Sequence, residues 1–175
     1  MPADVCLDRI IERAHLGRMS DPASRPNRIP WPPLLLLAAA GGAVVLGRLQ
    51  PLRWPGVDDL AARSIGLGIG GLGLLLAAWA IWTMARAGTA IRPDRGASVL
   101  VTTGPFVRFR NPIYLADAMI LLGLAELTKN VWFAIFVPLF AILVTWLAIL
   151  PEERHLEARF GEAYRAYKAR SRRWI

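Results

Sequence analysis

Three stretches of this chain are apolar for longer than a water-soluble helix can afford. They are "IPWPPLLLLAAAGGAVVLG" at 29–47, "SIGLGIGGLGLLLAAWAIWTMA" at 64–85 and "VWFAIFVPLFAILVTWLAIL" at 131–150. A helix crossing a bilayer needs about 20 mostly apolar residues, with a range of about 17–25. A fourth run, "IYLADAMILLGLA" at 113–125, is shorter and carries Asp117. An aspartate at mid-membrane costs about 2.5–3.5 kcal/mol on insertion scales, so this segment has to face protein or a wet cavity. Continued through Glu126 and Leu127, it reads as a span over 113–127. It is expected to pack on the 131–150 run as a helical hairpin turned at "TKN". The fold class is therefore all-α, a polytopic membrane bundle of about four transmembrane helices.

Composition agrees. The chain of 175 residues is 55% hydrophobic, 19% charged and +8 in formal charge, against about 45–50% apolar and about 25% charged for a soluble domain. A pI near 10.9 raises the alternative of a nucleic-acid partner. Such proteins gather their cations on a polar face and lack long apolar runs, so no nucleic acid is expected. The cations instead fall where a membrane topology puts them. Five arginines lie in residues 1–28, five in 86–110 and seven Lys or Arg after residue 150, leaving only Arg48, Arg53, Arg63 and Lys129 on the other side of a four-span arrangement. By the positive-inside rule both termini and the central loop are cytoplasmic, and the protein is integral to the membrane and multi-pass.

Residues 1–28 form a separate polar tail, read as interfacial helix or disorder, with residues 29–175 as the membrane domain. No export signal of the usual apolar length is visible at the start. One cysteine, Cys6, excludes an internal disulfide, and His15 and His155 are far apart, so no metal site is expected. The glycines of "GLGIGGLG" lack the strand that a dinucleotide fingerprint requires; they suit close approach of two membrane helices. Pro138 inside the last apolar run is expected to kink it.

Three charged stretches converge on the cytoplasmic side: the 88–114 loop, the start of the 113–127 span, and "PEERHLEARFGEAYRAYKARSRRW". Pro112 suits a first helical turn and Asn111 a helix cap. "PEE" reads as a helix start with acids at the positive end of its dipole. Leu156, Phe160, Tyr164 and Tyr167 share one stripe of a C-terminal amphipathic cytosolic helix. Antiparallel geometry sets Arg110, Asn111 and Tyr114 near Glu152 and Glu153. Guanidinium groups, paired carboxylates and aromatic rings in one pocket suit a zwitterionic ligand bearing an amino acid and an adenine.

"LVTTGPFVRFRNPIY" followed by "EERHLEARFGEAYRAYKAR" resembles the integral-membrane methyltransferases related to isoprenylcysteine carboxyl methyltransferase, a group that includes phospholipid N-methyltransferases. The likeness covers about residues 85–170. It implies a site for S-adenosylmethionine, with S-adenosylhomocysteine as product, built by the half from about 85 to 175. The acceptor it implies is lipophilic, a lipid or a lipidated molecule reaching the site from the bilayer. Carried over by position, Leu100, Val101, Gly104, Phe106, Asn111, Pro112 and Tyr114 would contact the cofactor. Arg110, Glu152, Glu153 and Arg170 would act at the reacting end. Two departures stand out: Asn111 replaces the group's usual histidine, and Ala116 replaces a frequent glycine. Asp117, one turn after Tyr114, faces either the same cavity or a hydrogen-bond partner on a neighbouring helix. Two other classes remain open: an NADPH-dependent membrane reductase of the sterol type, with Arg92 and Arg95 for the extra phosphate, and a non-catalytic membrane scaffold.

Overall fold

The computed structural model describes residues 29–88 and 99–175. The N-terminal tail and the loop carrying Arg92 and Arg95 lie outside the described residues. Six helices follow one another: α1 Trp31–Leu49, α2 Leu60–Arg86, α3 Pro112–Thr128, α4 Val131–Val144, α5 Leu150–Phe160 and α6 Glu162–Arg170, with a short 3-10 turn at Gly104–Val107. Prolines in the first turn of α1 sit where a missing N–H leaves no bond unmade. Asp59 caps α2 by accepting from the Ala62 amide at 2.8 Å.

Among the described residues, three helices are long and apolar enough to cross a membrane: α1, α2, and the continuous helix Val131–Phe160. Only 17% of the apolar stretches of α1 and α2 is buried within the molecule. Side chains such as Leu37, Leu74, Leu75 and Trp146 point outward. A helix apolar on all sides with so little of itself covered is built for lipid.

The fourth apolar run does form a helix through Glu126 and Leu127, but at 17 residues α3 is shorter than those three. Its widest interface is with α2, ahead of the expected hairpin partner α4. Glycines explain this. A Cβ on Gly123 would stand 2.7 Å from the Gly70 Cα, and one on Gly73 would stand 2.9 Å from the Ala116 carbonyl. Backbone therefore meets backbone along this seam, as small residues permit in membranes. The α3–α4 turn lies at "TKN" as expected. Lys129 takes a left-handed conformation (φ 51°), and Asn130 caps α4 through the Trp132 amide at 3.1 Å. Asn130 also donates to the Ala43 carbonyl of α1 at 2.8 Å.

Pro138 lies inside α4, and the fourth span departs from α geometry later, as a π turn over Thr145–Ile149. Pro151 follows directly. A proline ring collides with the carbonyl four residues back, and a widened turn placed just before it relieves that collision. "PEE" is therefore not a fresh helix start; it continues the spanning helix out of the membrane. Downstream, the single amphipathic helix expected after residue 151 is two helices. Gly161 adopts φ 52° and ψ −120°, a conformation that side chains disfavour, and the chain turns there. As a result Tyr164 and Tyr167 are buried, while Leu156 and Phe160 are only partly covered.

Candidate functional site

The predicted juxtaposition is present. Arg110, just before α3, reaches across to α5 and donates from Nε to Glu153 Oε1 at 3.1 Å. Tyr114, one turn into α3, has its hydroxyl 3.5 Å from Glu152 Oε2. Pro112 occupies the first turn of α3 as expected. Asn111 does not cap through its side chain. Its Nδ2 donates instead to the Arg173 carbonyl at 3.0 Å, while its own carbonyl accepts from the Leu115 amide.

The twin glutamates differ sharply. Glu153 is 6% exposed, and both its oxygens are taken. Arg110 and Arg173 share Oε1 at 3.1 Å each, and Arg173 Nη2 holds Oε2 at 2.7 Å. Glu152 has only the long contact from Tyr114 among the described residues. Arg110 is committed elsewhere too: its Nη1 donates to the Lys168 carbonyl at 3.1 Å and to the Ser171 carbonyl.

The C-terminal residues, which the sequence reading left without chemistry, close this corner. The amide of Arg110 donates to the Arg172 carbonyl at 2.7 Å, and the amide of Arg172 donates to the Arg108 carbonyl at 2.8 Å. Trp174 Nε1 donates to Thr145 Oγ1 on the π turn at 3.3 Å. Arg173 was therefore missed as the partner of Glu153. The available signal was the electrostatic debt of two adjacent acids at a membrane mouth, which one arginine cannot settle. Its bonds to Glu153 raise the Arg173 guanidinium above its already high ordinary pKa.

Around this corner lies the 3-10 turn. Gly104 has φ +59°, and a Cβ there would press to 2.6 Å from Thr83 Oγ1 of α2, so its lack of a side chain is needed twice over. Phe106 is buried, and its carbonyl accepts from the Tyr167 hydroxyl at 2.8 Å. Burial pushes the Tyr167 phenol up to about 12 and raises that of Tyr164. Both stay neutral donors at any cellular pH. Leu100 and Val101 are half-buried in the segment leading to this turn.

Two predicted residues stand apart. Arg170 is exposed in the last turn of α6 and makes no hydrogen bond or ion pair with another described residue. Asp117 is half-buried, acts electrostatically on Tyr114, and bonds to no other described residue. His155, set aside as a metal ligand, follows Glu152 by three residues, one helical turn on. Its Nε2 is buried with no hydrogen-bond partner among the described residues. No group of His, Cys, Asp and Glu among the described residues could hold a metal ion. A cavity of about 710 Å³, lined in part by Val44, Leu52, Leu124 and Phe133, lies by the "TKN" turn at the other end of the bundle, away from this corner.

Comparison with known proteins agrees with the likeness seen in the motifs. A curated but uncharacterised protein of Haemophilus influenzae is 35% identical over 63 residues, which is 36% of this chain and all of that protein. No solved structure matches. The family model for phospholipid methyltransferase matches residues 62–163, a segment running from the first turn of α2 through both glutamates and across the break at Gly161. On that match, which takes in more than half its length, the chain belongs to the phospholipid methyltransferase family of membrane methyltransferases.

Proposed function

We propose that this protein is an S-adenosylmethionine-dependent methyltransferase that crosses the membrane several times with both termini in the cytosol. Its acceptor is lipophilic and membrane-borne, and the family's name points to a phospholipid headgroup. The observation that carries the reading is the meeting of Tyr114 with Glu152 beside the Arg110–Glu153 pair.

The residues fit the cofactor. Glu152 offers a carboxylate that no cation among the described residues neutralises, which suits a ligand ammonium. Phe106, Leu100 and Val101 offer an apolar wall for adenine. Tyr114 holds the Glu152 carboxylate toward α3. Arg110 and Glu153 neutralise each other and fix the corner's frame. Arg170, exposed in the last turn of α6, is free to meet an acceptor headgroup.

When bound, the sulfonium supplies an already activated methyl group. What remains for the protein is alignment of donor and acceptor and exclusion of water. Neither needs a metal. A carboxylate acceptor needs no base. An amine releases a proton, which Asp117 or His155 Nε2, neither with a hydrogen-bond partner among the described residues, can take.

Titration calorimetry of the purified protein with S-adenosylhomocysteine and, separately, with NADPH tests the reading. Binding of the first is expected. Binding of NADPH alone would replace transfer with reduction, and binding of neither would leave a scaffold. Labelled methyl transfer into membrane lipid extracts then identifies the acceptor.

A further inference from the structure

We infer that Arg173 is a positioning residue: by gripping Glu153 from the C-terminal segment, it sets the first turn of α5 so that Glu152 faces the ligand. This rests on the proposed cofactor reading. The residue lies beyond the segment matched by the family model, which ends at 163.

Neighbouring residues on a helix point about 100° apart, so pinning one glutamate fixes the direction of the other. Arg173 pins Glu153 at two points, through Nε at 3.1 Å and Nη2 at 2.7 Å. A planar fork matched to a carboxylate resists rotation in a way a single contact cannot. The turn needs such a restraint. It follows directly on the π turn over Thr145–Ile149 and holds Pro151, which donates no backbone bond. The ordinary ladder of α-helical hydrogen bonds is thus interrupted where Glu152 must be aimed.

Arg173 can serve as a fixed point because the segment carrying it is itself held. Arg172 exchanges two backbone bonds with Arg108 and Arg110, and Asn111 takes the Arg173 carbonyl. Trp174 reaches the π turn through Thr145. One short segment thereby ties the start of α3, the π turn and the start of α5 together. Arg110 also touches Glu153, but through one nitrogen, its Nη1 being turned to the Lys168 and Ser171 carbonyls.

A strut that only stabilised the fold would make the same contacts, so the test separates aim from stability. Partners that orient a binding group from behind are worth about ten- to a hundredfold in affinity at metal sites, and the same scale is expected for a carboxylate holding an organic cation. Arg173→Ala should weaken S-adenosylhomocysteine binding by about tenfold or more at a temperature where the full-length protein remains folded. Arg173→Lys, which keeps charge but not the fork, should recover part of that loss. Arg172→Ala, which removes an exposed side chain but keeps that residue's backbone bonds and leaves Arg173 in place, should bind as the wild type does. A second readout needs no ligand. Amide exchange across residues 152–155 should quicken in Arg173→Ala and less in Arg173→Lys, with exchange in α2 unchanged. Wild-type affinity in Arg173→Ala, affinity lost only in step with a falling melting temperature, or unchanged exchange at 152–155 would each overturn the inference. Absence of binding by the wild-type protein would instead defeat the cofactor reading, and the exchange measurement would still decide the role of Arg173.

Discussion

Two charged clusters stand at opposite ends of this bundle, and they use similar residues to different effect. At one end Asp58, Arg63, Glu126 and Lys129 gather around the α3–α4 turn. Arg63 meets Asp58 at 3.0 Å, with both side chains more than half exposed, and Lys129 bridges Asp58 and Glu126. At the other end Arg110 and Glu153 pair at 3.1 Å with side chains only 10% and 8% exposed, and Arg173 completes the group. Water can replace a partner lost from the Arg63–Asp58 pair, although Lys129 and Glu126 beside it are only 17% and 18% exposed. It cannot readily do so in the second cluster. Burial, more than the count of ion pairs, decides which cluster the structure depends on.

The largest effect expected from that contrast is on stability. Glu153→Ala would leave Arg110 and Arg173 facing each other without an anion. Removing one partner of a buried pair costs about 3–5 kcal/mol, to be read from denaturant unfolding in detergent. A loss no greater than that of an exposed-pair mutant would erase the distinction between the two ends. Next in size, Glu152→Gln should cost about 1.5–3 kcal/mol of S-adenosylhomocysteine affinity, the worth of a bond to a charged group, with unfolding and membrane insertion unchanged. Arg110→Ala should abolish the same binding and lower stability as well, because Glu153 loses a cation. If the two glutamates exchanged these phenotypes, the division of labour between them would be reversed.

How much of this was legible beforehand depended on whether a feature was periodic or contiguous. Apolar runs announced α1, α2 and the long fourth helix, because a lipid-exposed helix cannot hide its composition. The nearness of Arg110 to Glu153 followed from a hairpin turned at "TKN", and the glycines of α2 signalled a close approach whose partner turned out to be Gly123. What stayed hidden was aperiodic. Ser171–Trp174 has no repeat to mark its return to Arg108, and "RSRRW" read simply as cations at a cytosolic surface. The break at Gly161 replaced one continuous stripe with two, so the tyrosines ended up deeper than Leu156 and Phe160. Asn111 read as a helix cap, and only the arrival of the C-terminal segment gave its side-chain amide the Arg173 carbonyl instead.

The α2–α3 seam gives an intermediate case, where packing and not charge is at stake. Gly123→Ala would put a methyl 2.7 Å from the Gly70 Cα and 2.9 Å from its nitrogen. Neither backbone atom can swing aside, so the helices must part. Overpacking of this kind costs about 1–3 kcal/mol, measurable as a lowered unfolding midpoint. Gly68→Ala, with nothing within 4 Å of its Cβ, is the matched control and should be neutral or slightly stabilising.

The smallest effect belongs to the exposed cluster, and its pH dependence sharpens the contrast with the buried one. The hydrogen bond from Arg63 holds the Asp58 carboxyl below the usual carboxylate value of 3.8, with the charges of Arg63 and Lys129 adding to it. A depressed folded-state value means the contribution is complete above 3.8 and is lost as pH falls through the lower folded value. Asp58→Asn should therefore remove little at neutral pH, and salt should remove much of that little. Unfolding midpoints of wild type and Asp58→Asn, followed from pH 7 to pH 3 at low and at high salt, should converge on acidification and nearly coincide in high salt. A gap that survived both would mean that Asp58 acts through something other than a solvated ion pair, and the two ends of the bundle would be more alike than their exposure indicates.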